Sequence, residues 1–229
     1  MCFVKQDGRQ TTRARLLAAA SALFAERGFR ATTIREIAAR ANVNVAAGNY
    51  HYGSKKALYL EVLRAQFAQI RRELDARGAR RSARALARLS RAELRDLLRA
   101  RLNVMLELLL GPPPGVHGTL MQREMCDPSE ALPVIVDEFV APMMREMREI
   151  AAHLAPGLDE RALERCVFSI TGQAVFYRFA MPALLRLLDL PAYPTGFTRQ
   201  LGTHITDFSL GGMERLARVR EPRRSRRAS

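Results

Sequence analysis

Apolar residues along this chain fall three and four apart, and no stretch alternates apolar and polar in the manner of a strand. The pattern predicts helices from end to end. A first helix starts near Thr12, carries Leu16, Ala20, Leu23 and Phe24 on one face, and stops at Gly28. Ile34, Ile37 and Ala38 make a second, narrower stripe, and Thr33 with Glu36 forms the T-x-x-E capping box that fixes its start. Asn42 and Asn44, both tolerant of turns, flank Val43. Val45 to His51 then resumes as a helix, which Gly53-Ser54 ends while capping the next. Two short helices joined by so small a turn predict a helix-turn-helix, whose second helix can enter a DNA major groove. Phe29, Val43, Tyr52 and Leu58 should close the core beneath it.

A long helix leaves this unit at Ser54 and runs to about Arg77. Residues 77–92 are arginine-rich, yet Leu86 and Leu89 give them one small apolar face, as befits a connecting segment. Ser90 and Glu93 make a second capping box, for a helix Arg91 to Leu110 that buries Leu94, Leu97, Leu98, Leu102, Met105 and Leu109. Gly111-Pro-Pro-Pro-Gly115 ends it. A short helix at Met121 to Cys126 breaks at Asp127-Pro128, and another runs from Pro133 to about Leu154 with a kink expected at Pro142. Asp159 caps a helix that is apolar nearly all round, through Leu163, Cys166, Val167, Phe168, Ile170, Ala174, Val175, Phe176 and Phe179. Such a helix has two apolar surfaces to cover, one in its own domain and one on a second subunit. Thr195 is expected to cap a last helix to Leu210, with Gly211-Gly212 leading into a basic tail.

The helix-turn-helix carries more chemistry than packing requires. Ala46, Ala47 and Gly48 are small enough for close approach to a groove floor. Asn49, Tyr50 and His51 bring hydrogen-bonding groups that a buried helix would have to satisfy internally. Lys55 and Lys56 follow the Ser54 cap, where the helix dipole disfavours cations by roughly 0.3–1 kcal/mol each. A phosphate nearby would account for them; plain solvation is the alternative. Val45, Ala46, Ala47 and Asn49 are the expected base-edge contacts, and Tyr50, Lys55 and Lys56 the expected phosphate contacts. Thr33, Asn44 and His51 complete the DNA-facing set.

The order F-x-x-x-G-F-x-x-T-T-x-x-x-I-A from Phe24, followed by N-Y-H-Y-G-S-K from Asn49, resembles the N-terminal DNA-binding domain of TetR-family transcriptional regulators over about Thr12 to Leu63. The usual family pattern has a large apolar residue and a Tyr where this chain has Gly48 and Asn49, and a Phe where it has Tyr52. The phosphate-binding Tyr of the family therefore has no counterpart at position 49, and Tyr50 takes that role. The NVAAxNYH variant, with LMQREM and FSITGQAVFYRFAMP further on, resembles the CecR-like branch, also written CerR-type. The resemblance implies an all-α homodimer that binds double-stranded operator DNA and answers to a small-molecule effector.

Composition fits that picture. The chain has 229 residues, 48% hydrophobic and 26% charged, with three cysteines at positions 2, 126 and 166 that lack metal or disulfide spacing. No apolar run reaches a membrane span and no signal peptide is legible, so a reducing cytoplasm is expected and no membrane. The net charge of +14 is uneven: residues 1–60 hold 10 basic and 3 acidic groups, 61–110 hold 12 and 6, 111–212 hold 8 and 12, and 213–229 hold 7 and 2. A basic N-terminal half on an acidic body is the footprint of a DNA-facing end. Membrane binding would need these cations on one amphipathic helix with bulky apolar residues.

Nucleophile-elbow, Walker, dinucleotide and zinc-protease motifs are absent, and His51, His117, His153 and His204 stand apart, so neither an enzyme nor a cofactor or metal is expected. Met121, Arg123 and Glu124, with Phe139, Met143, Gln173, Tyr177 and Arg178, are the candidates for a ligand pocket: a few polar groups in Met- and Phe-rich surroundings. The alternative for the charged ones is a buried ion pair, Arg123 or Arg178 with Glu124 or Asp137. Phe168, Gly172, Val175, Phe179 and Phe208 are the candidates for the dimer interface. The expected domains are 1–60 for DNA binding, 61–212 for regulation and dimerisation, and 213–229 as a disordered basic tail. A non-specific architectural DNA binder and a thiol regulator acting through Cys126 or Cys166 are the competing functions.

Overall fold

The computed structural model describes residues 11–111 and 116–220, with backbone alone at 47–49, 116–117 and 220. Its elements are α1 (Thr12–Ala31), α2 (Ile34–Arg40), α3 (Val45–Tyr52), α4 (Lys55–Ala76), α5 (Ala83–Leu86), α6 (Arg91–Leu110), α7 (Val116–Cys126), α8 (Leu132–Ile135), a π-helical turn (Val136–Val140), α9 (Ala141–Leu154), α10 (Glu160–Phe179), α11 (Met181–Leu187) and α12 (Phe197–Arg220). The described residues contain no strand, and the all-α expectation holds. None of these helices is long and apolar enough to cross a membrane.

Local chemistry sets most boundaries. Gly28 breaks α1 internally at φ 83°, a left-handed conformation open to glycine at no steric cost. Both capping boxes form as the spacing predicts, Thr33 with Glu36 on α2 and Ser90 with Glu93 on α6. Asp159 caps α10 by accepting from the Ala162 N–H at 2.7 Å. Pro142 acts less simply than a kink. Lacking an N–H to donate one turn back, it is preceded by the π-helical turn, which takes up the disrupted hydrogen-bond register before α9 proceeds.

The chain divides into two compact units, one comprising residues up to Phe67 together with Thr119–Ile135, the other Ala68–Gly118 together with Val136 onward. In the first, Leu16, Leu23, Phe24, Ile37, Leu58, Tyr59 and Leu63 form a buried core, joined by Leu120 and Ile135 from the later segment. Phe24 and Tyr59 meet edge to face at 4.8 Å between ring centroids. In the second, α6, α9, α10 and α12 pack around Leu98, Leu102, Leu106, Ile150, Val167, Ile170 and Ile205. Helices α6 and α12 cross so closely at Gly202 that a Cβ there would collide with Asn103 Oδ1.

Residues 119–135, inside the stretch expected to form the regulatory domain, pack with the first unit. Two outcomes differ from expectation. Helix α12 begins at Phe197 rather than on a Thr195 cap, and it continues through Gly211-Gly212 to Arg220. Burial of Met213 holds this extension, so the tail expected from residue 213 is helical as far as 220; residues 221–229 lie outside the described ones. Helix α11, where no element was expected, starts with Pro182 in its first turn, a position that needs no backbone N–H.

Candidate nucleic-acid interface

Helices α2 and α3 are joined by a turn that the sequence specifies atom by atom. Asn42 takes φ 52°, and the N–H groups of Asn42 and Val43 donate to the carbonyls of Ala39 and Ala38 at 3.1 and 3.0 Å. This is the paired arrangement that closes a helix on a left-handed residue. Asn44 Oδ1 then accepts from the Ala46 N–H at 2.9 Å, capping α3. Asn44 and Thr33, both expected at the DNA, therefore fix the two helix starts. Thr33 is exposed and exchanges hydrogen bonds with Glu36.

Helix α3 shows its polar side to solvent. Tyr50 is 86% exposed, and Val45, Ala46 and His51 are exposed beside it. The Tyr50 and His51 rings contact each other at 5.2 Å. The side chains of Ala47 and Asn49 lie outside the described residues. Tyr52 turns inward, its hydroxyl donating to the Arg13 carbonyl at 3.0 Å. Ion pairs brace the frame behind: Arg27 with Glu36 at 2.8 Å and Arg40 with Glu26 at 2.7 Å. The Thr33 backbone N–H holds the Glu36 carboxyl below its ordinary range, and Arg40 does the same for Glu26. Arg35, exposed on the first turn of α2, pairs with no carboxylate among the described residues. Sequence reasoning passed over it, although its place beside the Thr33 cap was legible.

The lysines separate. Lys55 Nζ donates to the Phe29 carbonyl at 3.0 Å and the Arg30 carbonyl at 3.5 Å, and sits 4.4 Å from the centre of the Phe29 ring. Its position against the α4 dipole is thus answered by carbonyls at the end of α1, and no phosphate is needed to account for it. Lys56 lies 3.7 Å from the Glu130 carboxylate with both side chains well exposed, an attraction worth little in water.

The ligand candidates are not gathered in one unit. Met121, Arg123 and Glu124 lie in the first, and Phe139, Met143, Gln173, Tyr177 and Arg178 in the second. Glu124, only 2% exposed, accepts from the Tyr59 hydroxyl at 2.8 Å and from the Ser129 N–H and hydroxyl at 3.2 and 3.1 Å. Burial, then the bond to Glu124, pushes the Tyr59 phenol well above its ordinary range. Arg123 donates to the carbonyls of Ala25 at 3.0 Å and Glu26 at 2.7 Å, near the end of α1. Both charged groups are occupied within the DNA-binding unit, and neither forms the ion pair weighed from sequence. In the second unit Phe139 is buried with the Arg71 guanidinium 6.0 Å from its ring, and Met143 is half-buried. Gln173 donates to Ser209 Oγ at 3.2 Å, the Tyr177 carbonyl accepts from the Tyr193 hydroxyl at 3.0 Å, and Arg178 approaches Gly118. Val175 is half-buried, while Phe168, Gly172, Phe179 and Phe208 are exposed. Cys166 is buried in the second core and Cys126 exposed at the end of α7; Cys2 lies outside the described residues.

A capped helix-turn-helix with its second helix bared, on a larger helical body, defines a DNA-binding transcriptional regulator. Comparison with known proteins gives the family. Residues 16–62 match bacterial regulatory proteins of the tetR family, and residues 94–213 match the C-terminal domain of the HTH-type transcriptional dual regulator CecR. The chain belongs to the TetR family, in the branch that carries the CecR C-terminal domain. It is 28% identical over 194 residues to the transcriptional dual regulator CecR of Shigella flexneri, spanning 83% of this chain and 86% of that protein. A shorter match, 43% identical over 58 residues, is to the transcriptional repressor KstR2 of Rhodococcus jostii, covering 25% of this chain and 28% of that one. Among solved structures, a TetR-like regulator from Rhodococcus sp. RHA1 shares the fold at TM-score 0.63 and 18% identity, over 90% of this chain and all of that one. A TetR-family regulator from Streptomyces coelicolor does so at TM-score 0.62 and 19% identity, over 88% and 95%.

Proposed function

We propose that this regulator works in the cytoplasm as a homodimer that represses from a palindrome-like operator and is released by a small-molecule effector. The observation that carries the dimer is the outer face of the second unit. Phe168 and Phe176 on α10 are each 56% exposed, and Phe208 on α12 is 67% exposed. Around them, Gly172, Gly211 and Gly212 have open space where a side chain would stand. The opposite face of α10, through Leu163, Val167, Ile170 and Ala174, is committed to the core. An apolar face of this kind, rimmed by small residues, suits a second copy of the same two helices.

A two-fold axis would present two α3 helices to successive major grooves, which ties operator symmetry to protein symmetry. On each, Val45 and Ala46 are suited to thymine methyl groups, and Tyr50, His51 and the exposed Arg35 to phosphates and base edges. An effector would act by favouring the dimer state whose helix spacing mismatches the half-sites. Phe139, Met143, Gln173, Tyr177 and Arg178 remain the candidates for holding it.

The experiment is selection and sequencing of DNA fragments bound by the purified protein, followed by affinity measurements on the selected site and on random duplex across a salt series. A palindromic consensus with a specificity ratio above about 10³ supports the reading. A ratio near one with a steep salt slope would instead establish the architectural alternative.

A further inference from the structure

We propose that the exposed arginines around α5, with Arg81 just before the helix and Arg84 and Arg88 along its turn, form a second docking surface for the phosphate backbone of duplex DNA. The proposal rests on the operator-binding reading above. Ser82 caps α5, its Oγ accepting from the Ala85 N–H at 3.3 Å, and the N–H groups of Arg88 and Leu89 extend the turn to the carbonyls of Ala85 and Leu86 at 3.1 Å each. Arg84 and Arg88 therefore stand four residues apart on one side of this turn, while Arg81 lies just ahead of the Ser82 cap, its guanidinium donating to the Arg80 carbonyl at 2.9 Å. Leu86, on the opposite face, is buried in the second core, as is Ala79. The buried Arg101 donates to the Ala79 carbonyl at 3.0 Å and pins the segment from below.

The neighbouring arginines show what the fold does with cations it needs for itself. Arg77 pairs with Glu107 at 2.6 Å, and Arg80 with Asp75 at 3.1 Å and Glu146 at 3.6 Å. Arg81, Arg84 and Arg88 are exposed and meet no carboxylate among the described residues; Arg81 has the Arg80 carbonyl instead. The like charges of Arg84 and Arg88, four apart, repel one another, so they detract from stability unless an anion lies between them. Guanidinium forks match phosphate oxygens in pairs, and a regulator held on its operator already has duplex at high local concentration. An anionic membrane is the weaker partner, because the outward face of α5 offers no bulky apolar residue to insert.

The test uses the full-length protein and R81Q/R84Q/R88Q, whose thermal midpoint should be no lower than the parent's, since the change relieves repulsion and costs one exposed hydrogen bond. Affinity is measured across a salt series on the selected operator trimmed to its protected core, and on the same operator with random duplex on both sides. Light scattering then follows the core complex as a second, random duplex is added. If the phosphates come from flanking DNA, the variant's salt slope on the long duplex falls by up to about 0.9 for each arginine lost, with core-length binding unchanged. If they come from a separate duplex, the parent bridges two duplexes and the variant does not. Equal slopes on the long duplex with no bridging by either protein would overturn the proposal. So would loss of binding to phosphatidylserine vesicles in a variant whose DNA binding is intact. A parent without operator preference would sink the operator reading alone, because the slope comparison can still be made on long random duplex.

Discussion

Tyr59→Phe removes one oxygen atom and isolates one interaction. The ring contacts with Phe24 at 4.8 Å and Phe29 at 5.0 Å do not involve the hydroxyl, so the aromatic packing survives. What is lost is the 2.8 Å bond to Glu124, a carboxylate only 2% exposed, which keeps its two bonds from Ser129 at 3.2 and 3.1 Å. Hydrogen bonds to charged groups contribute about 1.5–3 kcal/mol, and an unmatched buried acceptor costs about 1–3 kcal/mol. With two of three donors retained, the expected loss is about 2 kcal/mol. It should be confined to the first unit, so amide hydrogen exchange on α1 and α4 is the appropriate readout, with unchanged protection on α6 and α12 as the internal control. Combined with Glu124→Gln in a double-mutant cycle, the pair should show a coupling energy of about 1–2 kcal/mol. A loss under about 0.5 kcal/mol with no coupling would show that Glu124 does not depend on Tyr59, and the structural role given to α7 would be wrong.

Lys55→Ala should destabilise the first unit by roughly 1–2 kcal/mol, the sum of a partly buried helix-end cation and its ring contact, and leave the DNA salt slope unchanged. A slope reduced by about one at unchanged stability would restore it as a phosphate contact. Phe176→Asp, at an exposed position, should yield a folded monomer by analytical ultracentrifugation with operator affinity collapsed; a dimer of normal affinity would remove this face from the interface. The raised Tyr59 pKa makes folding alkali-sensitive: below pH 10.0 the phenol is neutral in both states, and above it the unfolded chain ionises while the folded one resists. Stability of the first unit should therefore fall as pH rises through that range in denaturation experiments, and Tyr59→Phe should lack this component.

Local chemistry was legible without coordinates. The boxes at Thr33–Glu36 and Ser90–Glu93, the Asp159 cap, the Gly28 break and the Asn42 turn each involve residues within a few positions of one another, and their geometry follows from covalent reach. The helix-turn-helix and its exposed second helix belong to this class, which is why the DNA-binding function could be read from the chain. Apolar residues nearly all round the segment after Asp159 likewise marked α10 as having two surfaces to cover.

Tertiary structure decided where charged side chains go when their partners are distant. Nothing near Lys55 in sequence announces the carbonyls of Phe29 and Arg30, and a cation at the wrong end of its own helix looks the same whether a phosphate or a second helix terminus answers it. Arg123 and Glu124 resemble pocket residues in a Met-rich helix until that helix is seen to fill the first unit, where Ala25, Glu26 and Tyr59 wait for them. The continuation of α12 past Gly211-Gly212 is of the same kind. Two glycines cost an isolated helix about 2 kcal/mol relative to alanine, and burial of Met213 against the second core is of the size to offset it. Sequence fixes the short-range hydrogen bonds because their geometry is local; burial and long-range electrostatics depend on which surfaces meet, and only the folded chain supplies that.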